Sequence, residues 1–218
     1  MKKIIFCLPG RSYSGKFLTC WTDLLVHCIN KGYKINIIQR YSCNIYYVRN
    51  MCLGADVRRG EDQKPFDGKL DYDYMMWIDS DVVFTPEQFE RLLSHDKDIV
   101  SGLYKMEDNT HYACVEHWNE SEFLKNGHFK FIKPSDIEYR KNQLIDVNYV
   151  GFGFILVKRG VFESLKYPYF RPNSYNIGNT VEFAMEDVSW CHNVKDAGYK
   201  ILVDPSIIVG HEKTKVLL

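Results

Sequence analysis

Two carboxylates separated by one small residue, Asp79 and Asp81 in MMWIDSDVVF, follow a strongly apolar run. If that run is an inner strand of an open α/β sheet, the residues after it emerge at the carboxyl edge, where ligands of such folds sit. Paired carboxylates there offer hard oxygen donors to magnesium or manganese, and a diphosphate can supply the remaining oxygens. The alternative is a capped turn and a solvated surface acid. A second acidic pair, Glu186 and Asp187, opens a helical stretch. Acids in a first helical turn complement the helix dipole in any case, but one of them can also take a proton from a substrate hydroxyl.

A third stretch is a near-miss. GRSYSGKF, residues 10–17, supplies the strand, Gly10, Gly15 and Lys16 of a phosphate-binding P-loop, but has Phe17 where a hydroxyl must reach magnesium. That substitution argues against a triphosphate site.

The elements that must position these groups are legible from periodicity. KIIFCL (3–8), YKINIIQ (33–39), YMMWID (74–79) and DIVSGLY (98–104) read as strands, with helical patterns over 17–32 and 44–56 between the first three. A helix begins at TPEQFERLL, with Thr85 as its cap, Pro86 in its first turn and Gln88 in the capping-box place. This order predicts a mostly parallel sheet with helices on both faces. The second half predicts a mixed or antiparallel extension: HYACVEHW (111–118), HFKFIK (128–133), LIDVNYV (144–150) and GFILVK (153–158) read as strands without full helices between them. A last helix over 185–198 precedes the strand YKILVDP. RPNSYNIGNTVEF (171–183) is polar with Gly and Pro, and reads as a mobile loop able to close over a ligand. No repeat or linker divides the chain, so one domain is expected, with a nucleotide-binding half (1–105) and an acceptor half (106–218).

Composition excludes some classes. The 218 residues carry 28 basic and 28 acidic side chains, so a general nucleic-acid binder, which needs a basic face, is not expected. The apolar start IIFCL is broken by Pro9-Gly10-Arg11 before reaching signal-peptide length, and no run approaches the roughly 18 apolar residues of a membrane span. Seven cysteines without a C-x-x-C spacing indicate neither zinc nor a disulfide framework, and suit a reducing cytoplasm.

Three metal-dependent classes share an acid pair after a strand. A P-loop enzyme is weakened by Phe17. A phosphohydrolase of haloacid dehalogenase type would use DSDVV with Asp79 as nucleophile, but there the motif normally follows the first strand. The third is carried by several segments in order. MMWIDSDVVFTPEQFERLL, YVRNMCLGAD (47–56), DIVSGLYK (98–105), VGFGFILVKRGVFESL (150–165) and MEDVSWCHNVKDAGYKILVDPSIIVGH (185–211) together resemble nucleotide-sugar glycosyltransferases of the GT-A fold, D-x-D type. The likeness extends to bacterial, phage and viral members, among them algal-virus domains that are parts of longer chains. It implies a GT-A fold, a manganese or magnesium cofactor, a UDP-sugar donor and a glycan acceptor, with further domains a possibility.

By that resemblance Asp81 is the main metal ligand, Asp79 a ligand of the metal or contact of the ribose, and His211 a third ligand, one that suits manganese. Asp79, Ser80 and Asp81 then line the donor together with Pro9, Gly10 and Arg11 after the first strand. Asp187, or else Glu186, is the base if the reaction inverts; a retaining reaction needs no such base, and both stereochemistries stay open. Arg49 is a candidate for the diphosphate or base, its alternative being a surface salt bridge. Gly153, with Gly151, either lets a sugar approach the sheet or marks a bulge. Trp190 and Tyr175 are candidate sugar platforms. Two other readings of the fold are weaker: a sugar nucleotidyltransferase needs a glycine-rich loop that PGRSYSGK lacks, and a degenerate binding module should have lost one of the four acids.

Overall fold

The computed structural model describes residues 1–141 and 143–214. The first half follows the expected alternation: β1 (Lys3–Pro9), α1 (Gly15–Asn30), β2 (Lys34–Arg40), α2 (Ile45–Cys52), β3 (Tyr74–Ile78), β4 (Val82–Val83), α3 (Pro86–Ser94) and β5 (Ile99–Leu103). Local chemistry sets the helix starts. Ser14 accepts from the Phe17 amide, Asn44 from those of Tyr46 and Tyr47, and Thr85 with Gln88 forms the full capping box.

The second half departs from its expected strands. β6 (Cys114–Val115) is two residues long, α4 (Glu120–Asn126) is a helix that periodicity did not signal, and residues 128–133 are not a strand. HFKFIK alternates like a strand, but Phe129 and Phe131 face a cleft, and its pairing is limited to Ile132, which donates to the Cys114 carbonyl and accepts from the Tyr112 amide. There follow α5 (Pro134–Ile137), β7 (Ile145–Val147), β8 (Tyr149–Val150), β9 (Phe154–Lys158) and α6 (Val161–Ser164). The segment expected as a mobile loop forms a hairpin, β10 (Ser174–Ile177) with β11 (Thr180–Phe183), joined through Gly178 at φ +57°. α7 (Glu186–Asp196), β12 (Ile201–Ile208) and β13 (Gly210–His211) complete the described chain.

The seven-stranded central sheet runs β2-β1-β3-β9-β5-β12-β7. β2, β1, β3, β5 and β12 point one way; β9 and β7 are antiparallel to their neighbours. The mixed character therefore begins inside the sheet, where β9 lies between β3 and β5. Both faces are covered. Ile4, Phe6 and Leu8 of β1 with Met76 and Ile78 of β3 face Phe17 and Leu24 of α1 and Phe89 of α3. The alternate residues Ile5, Cys7, Met75 and Trp77 face Cys52 of α2 and Trp190, Cys191 and Val194 of α7. Phe17 is thus a core residue of α1, which accounts for its place in the near-miss loop.

Candidate active site

The carboxyl ends of β1, β3 and β5 meet the start of α7 and the end of β12 at one edge of the sheet. Asp79 leaves β3 there, its amide donating to the Gly153 carbonyl (3.0 Å). Its partner is Arg49 on α2. The guanidinium donates from Nη1 and Nη2 to the two Asp79 oxygens (3.1 and 3.0 Å) and from Nε to Glu186 Oε1 (3.1 Å). The Arg49 side chain is only 3% exposed, and the guanidinium carbon lies 5.0 Å from the Phe152 ring centroid. A planar fork on two carboxylates in an aromatic cage is the geometry that suits Arg and not Lys. The surface ion pair expected as the alternative for Arg49 is corrected to a buried one: Arg49 bridges the first acid of D-x-D and the first acid of the E-D pair. Burial raises the Asp79 carboxyl, and the Arg49 fork pulls the other way.

Asp81 has a different environment. Its Oδ2 lies 3.1 Å from His211 Nε2 and 2.8 Å from Lys213 Nζ. The long-range pairing of β13 with β4, Gly210 beside Val83 and His211 beside Val82, brings the imidazole there. Burial alone would raise the Asp81 carboxyl; the hydrogen bonds from His211 and Lys213 outweigh it and hold the group down at about 2. The other ring nitrogen, Nδ1, lies 2.7 Å from the Lys105 carbonyl, which can only accept, so Nδ1 carries the proton. A neutral ring then points the Nε2 lone pair at a carboxylate oxygen. Such a contact is favourable only with a proton or a cation between the two, and the Asp81 bond accordingly raises the His211 imidazole above its usual range. One imidazole nitrogen and one carboxylate oxygen, the imidazole oriented by a backbone carbonyl, fit a divalent cation with water or diphosphate filling the other positions. Asp79 is turned to Arg49, and among the described residues no three His, Cys, Asp or Glu side chains converge as a ready-made cage.

Asp187 faces the cleft from the first turn of α7. Its Oδ1 accepts from the Val188 amide (2.8 Å) and its Oδ2 from the Tyr149 hydroxyl (2.9 Å). Burial, with the neighbouring Glu186 charge adding to it, raises the carboxyl to about 6, an appropriate value for a base working near neutrality. Glu186 is buried and tied to Arg49, which leaves Asp187 as the available member of the pair. A nucleophilic Asp79, as the phosphohydrolase reading requires, would have to give up both of its Arg49 bonds.

The other expected site residues have protein neighbours of their own. Gly10 does allow a close approach, but to protein: a Cβ there would lie 2.7 Å from Ser80 Cβ and 3.2 Å from the Tyr13 hydroxyl, so the first loop locks onto the D-x-D turn. Pro9 ends β1 beside Gly10, and Arg11 lies over the Tyr41 ring at 5.7 Å. Lys16 is exposed and sits 3.8 Å from Glu212. Gly151 and Gly153 make room for the Tyr104 ring; a Cβ on Gly153 would come 2.8 Å from its Cε1, and one on Gly151 would overlap its hydroxyl. The space next to the sheet is therefore occupied by Tyr104, whose ring also meets His211 edge to face at 4.9 Å. Trp190 is a fully buried core residue, not a platform, whereas Tyr175 does line the cleft.

The cleft beside Asp187 encloses about 800 Å³. Sequence reasoning missed most of its wall: Trp118, Phe129, Phe131 and Tyr149 come from segments read as strands, and no local pattern distinguishes a ring facing a cleft from one facing a core. Trp118 stacks on His192 (4.7 Å, 5°) and Tyr175 meets the same imidazole at 4.4 Å, joining three separate elements.

No family model and no curated protein sequence matches the chain. Solved structures do. A197 from STIV superposes with a TM-score of 0.53 at 17% identity, covering 100% of this chain and 97% of that one. A structure of GalNAc-T7 with UDP, GalNAc and Mn2+ gives 0.51 at 13% identity, covering 97% of this chain and 44% of that one. A mutant of the Drosophila β1,4-galactosyltransferase 7 in complex with manganese, UDP-Gal and xylobiose gives 0.50 at 14%, covering 98% and 72%. The fold is that of the GT-A glycosyltransferases.

Proposed function

From that fold and this site we propose that the protein is a metal-dependent glycosyltransferase that moves a hexose or deoxyhexose from a UDP-sugar to an acceptor hydroxyl with inversion. The observation that carries the reading is the division of labour among the acids. Asp81 with His211 presents a cation-binding pair, Arg49 holds Asp79 and Glu186, and Asp187 alone is left with a raised carboxyl on the cleft.

Asp81 and His211 would hold manganese, whose chemistry when bound is to neutralise the leaving diphosphate. Pro9, Gly10, Arg11 and Ser80 border the place of the nucleoside. Asp187 accepts the proton of the acceptor hydroxyl as that oxygen forms its bond to the anomeric carbon; the bond from that carbon to the phosphate oxygen breaks, and its electron pair leaves with UDP. Tyr149 keeps one Asp187 oxygen fixed by hydrogen bonding, and the Val188 amide fixes the other. Arg49 neutralises the two acids that would otherwise repel both the leaving group and the base.

Calorimetric titration with UDP, with and without Mn2+, tests this. Manganese-dependent binding in the parent that disappears in Asp81→Ala is expected. Failure of UDP and every other nucleoside diphosphate to bind under either condition would refute it.

A further inference from the structure

Resting on the transferase reading, we propose that the acceptor is a neutral molecule whose reacting hydroxyl belongs to a sugar carrying an apolar aglycone, of the aryl or alkyl glycoside class, and that this aglycone lies in the aromatic cleft beside Asp187. The cleft wall is built from Trp118, Phe129, Phe131, Tyr149, Tyr175 and Phe183, and its 800 Å³ exceeds what one sugar ring fills. Polar side chains on the wall are a minority: Asn176, His192 and the acids Glu120, Glu182 and Asp187 stand among the rings. Among the described lining residues Arg49 is the sole Lys or Arg, and its charge is matched by Asp79 and Glu186. Each sugar hydroxyl buried without a partner carries a desolvation penalty, so a free oligosaccharide is poorly served here, whereas an apolar aglycone needs no such partners.

Charge narrows the class further. Among the described lining residues Glu120, Glu182 and Asp187 face no free cation, so an acceptor bearing carboxylate, sulfate or phosphate meets repulsion. The apolar surface also continues outward, where Leu124, Val181, Phe183 and Met185 are all more than half exposed around the hairpin and α4. Isolated exposed apolar residues need no explanation, but a set contiguous with a catalytic cleft marks a binding surface. The Trp118–His192–Tyr175 stack ties the loop before α4, the hairpin and α7 together, so the wall exists before the ligand arrives and little ordering is lost on binding.

The test is calorimetric titration of the whole protein, alone and with UDP and Mn2+, using methyl, phenyl and hexyl β-D-glucopyranosides and cellobiose. The phenyl and hexyl glycosides are expected to bind at least about tenfold more tightly than the methyl glycoside or cellobiose, since the added groups leave water. Trp118→Ala should reduce that preference below about threefold, as a lost cleft wall requires. Phe183→Ser, at an exposed position that folding does not depend on, should reduce it in the same direction. Equal affinities for methyl and phenyl glycosides, tighter binding of cellobiose, no binding of the aglycone-bearing probes at millimolar concentration, or an undiminished preference in both variants would each overturn the proposal. Absence of UDP binding with the aglycone preference intact would instead count against the transferase reading and leave an apolar-ligand cleft standing.

Discussion

Replacing Arg49 by Met removes the bridge while keeping an apolar stem of similar length in the aromatic cage. Three charge-assisted hydrogen bonds disappear, and two carboxylates, Asp79 and the buried Glu186, are left in a desolvated site without their cation. Breaking a buried ion pair from one side costs about 3–5 kcal/mol. At roughly 2–4 °C per kcal/mol for a chain of this size, the melting temperature should fall by about 6–20 °C. The loss should depend on pH. In the parent, burial already raises the Asp79 carboxyl against the pull of Arg49; without Arg49 the folded-state value climbs further above the unfolded one. A group raised in this way stabilises the fold below its unfolded pKa and loses that contribution as pH rises through the folded value. The deficit of Arg49→Met should therefore be largest at pH 7 to 8 and shrink below about pH 4, where Asp79 can protonate in either state. Urea unfolding followed by circular dichroism at pH 7.5 and pH 4 measures both numbers. A variant within about 1 kcal/mol of the parent at pH 7.5, or a deficit that does not change with pH, would refute the account of Arg49 as a buried counter-charge, since surface pairs rarely contribute more than that.

Three further outcomes are expected. Because the Tyr149 hydroxyl lowers the Asp187 carboxyl, which stands at about 6, Tyr149→Phe should move the acidic limb of the kcat/KM profile for sugar transfer to higher pH while the limb of the parent lies near 6; an unmoved limb would remove Asp187 from the role of base. Gly151→Ala should destabilise by about 1–3 kcal/mol through overlap with the Tyr104 hydroxyl, and Tyr104→Phe in the same chain should recover part of that loss in thermal melts, whereas strictly additive effects would show that the two sites do not touch. Lys16→Ala should leave UDP affinity within about twofold by calorimetry, because the exposed ammonium serves no phosphate in this reading; a tenfold loss would restore the P-loop reading of the first loop.

The elements that the sequence made legible are those governed by contacts a few residues apart. The Thr85–Gln88 capping box, the unbroken apolar runs of β1 and β3, and the exit of Asp79 and Asp81 from a buried strand all follow from local spacing. HFKFIK shows where local spacing misleads, because alternating rings look the same whether they face a sheet partner or a cleft.

What remained for the tertiary structure was every pairing across long separations. Arg49 meets Asp79 and Glu186 only because α2 and the start of α7 lie on the same face of the sheet. His211 reaches Asp81 through the β13–β4 pairing, and the two glycines around Phe152 are explained by the Tyr104 ring. Sequence alone identified which residues could hold charge or metal. It could not assign their partners, because a buried charge is settled by whichever counter-charge the folded chain brings within about 3 Å, and hydrophobic periodicity carries no information about that distance.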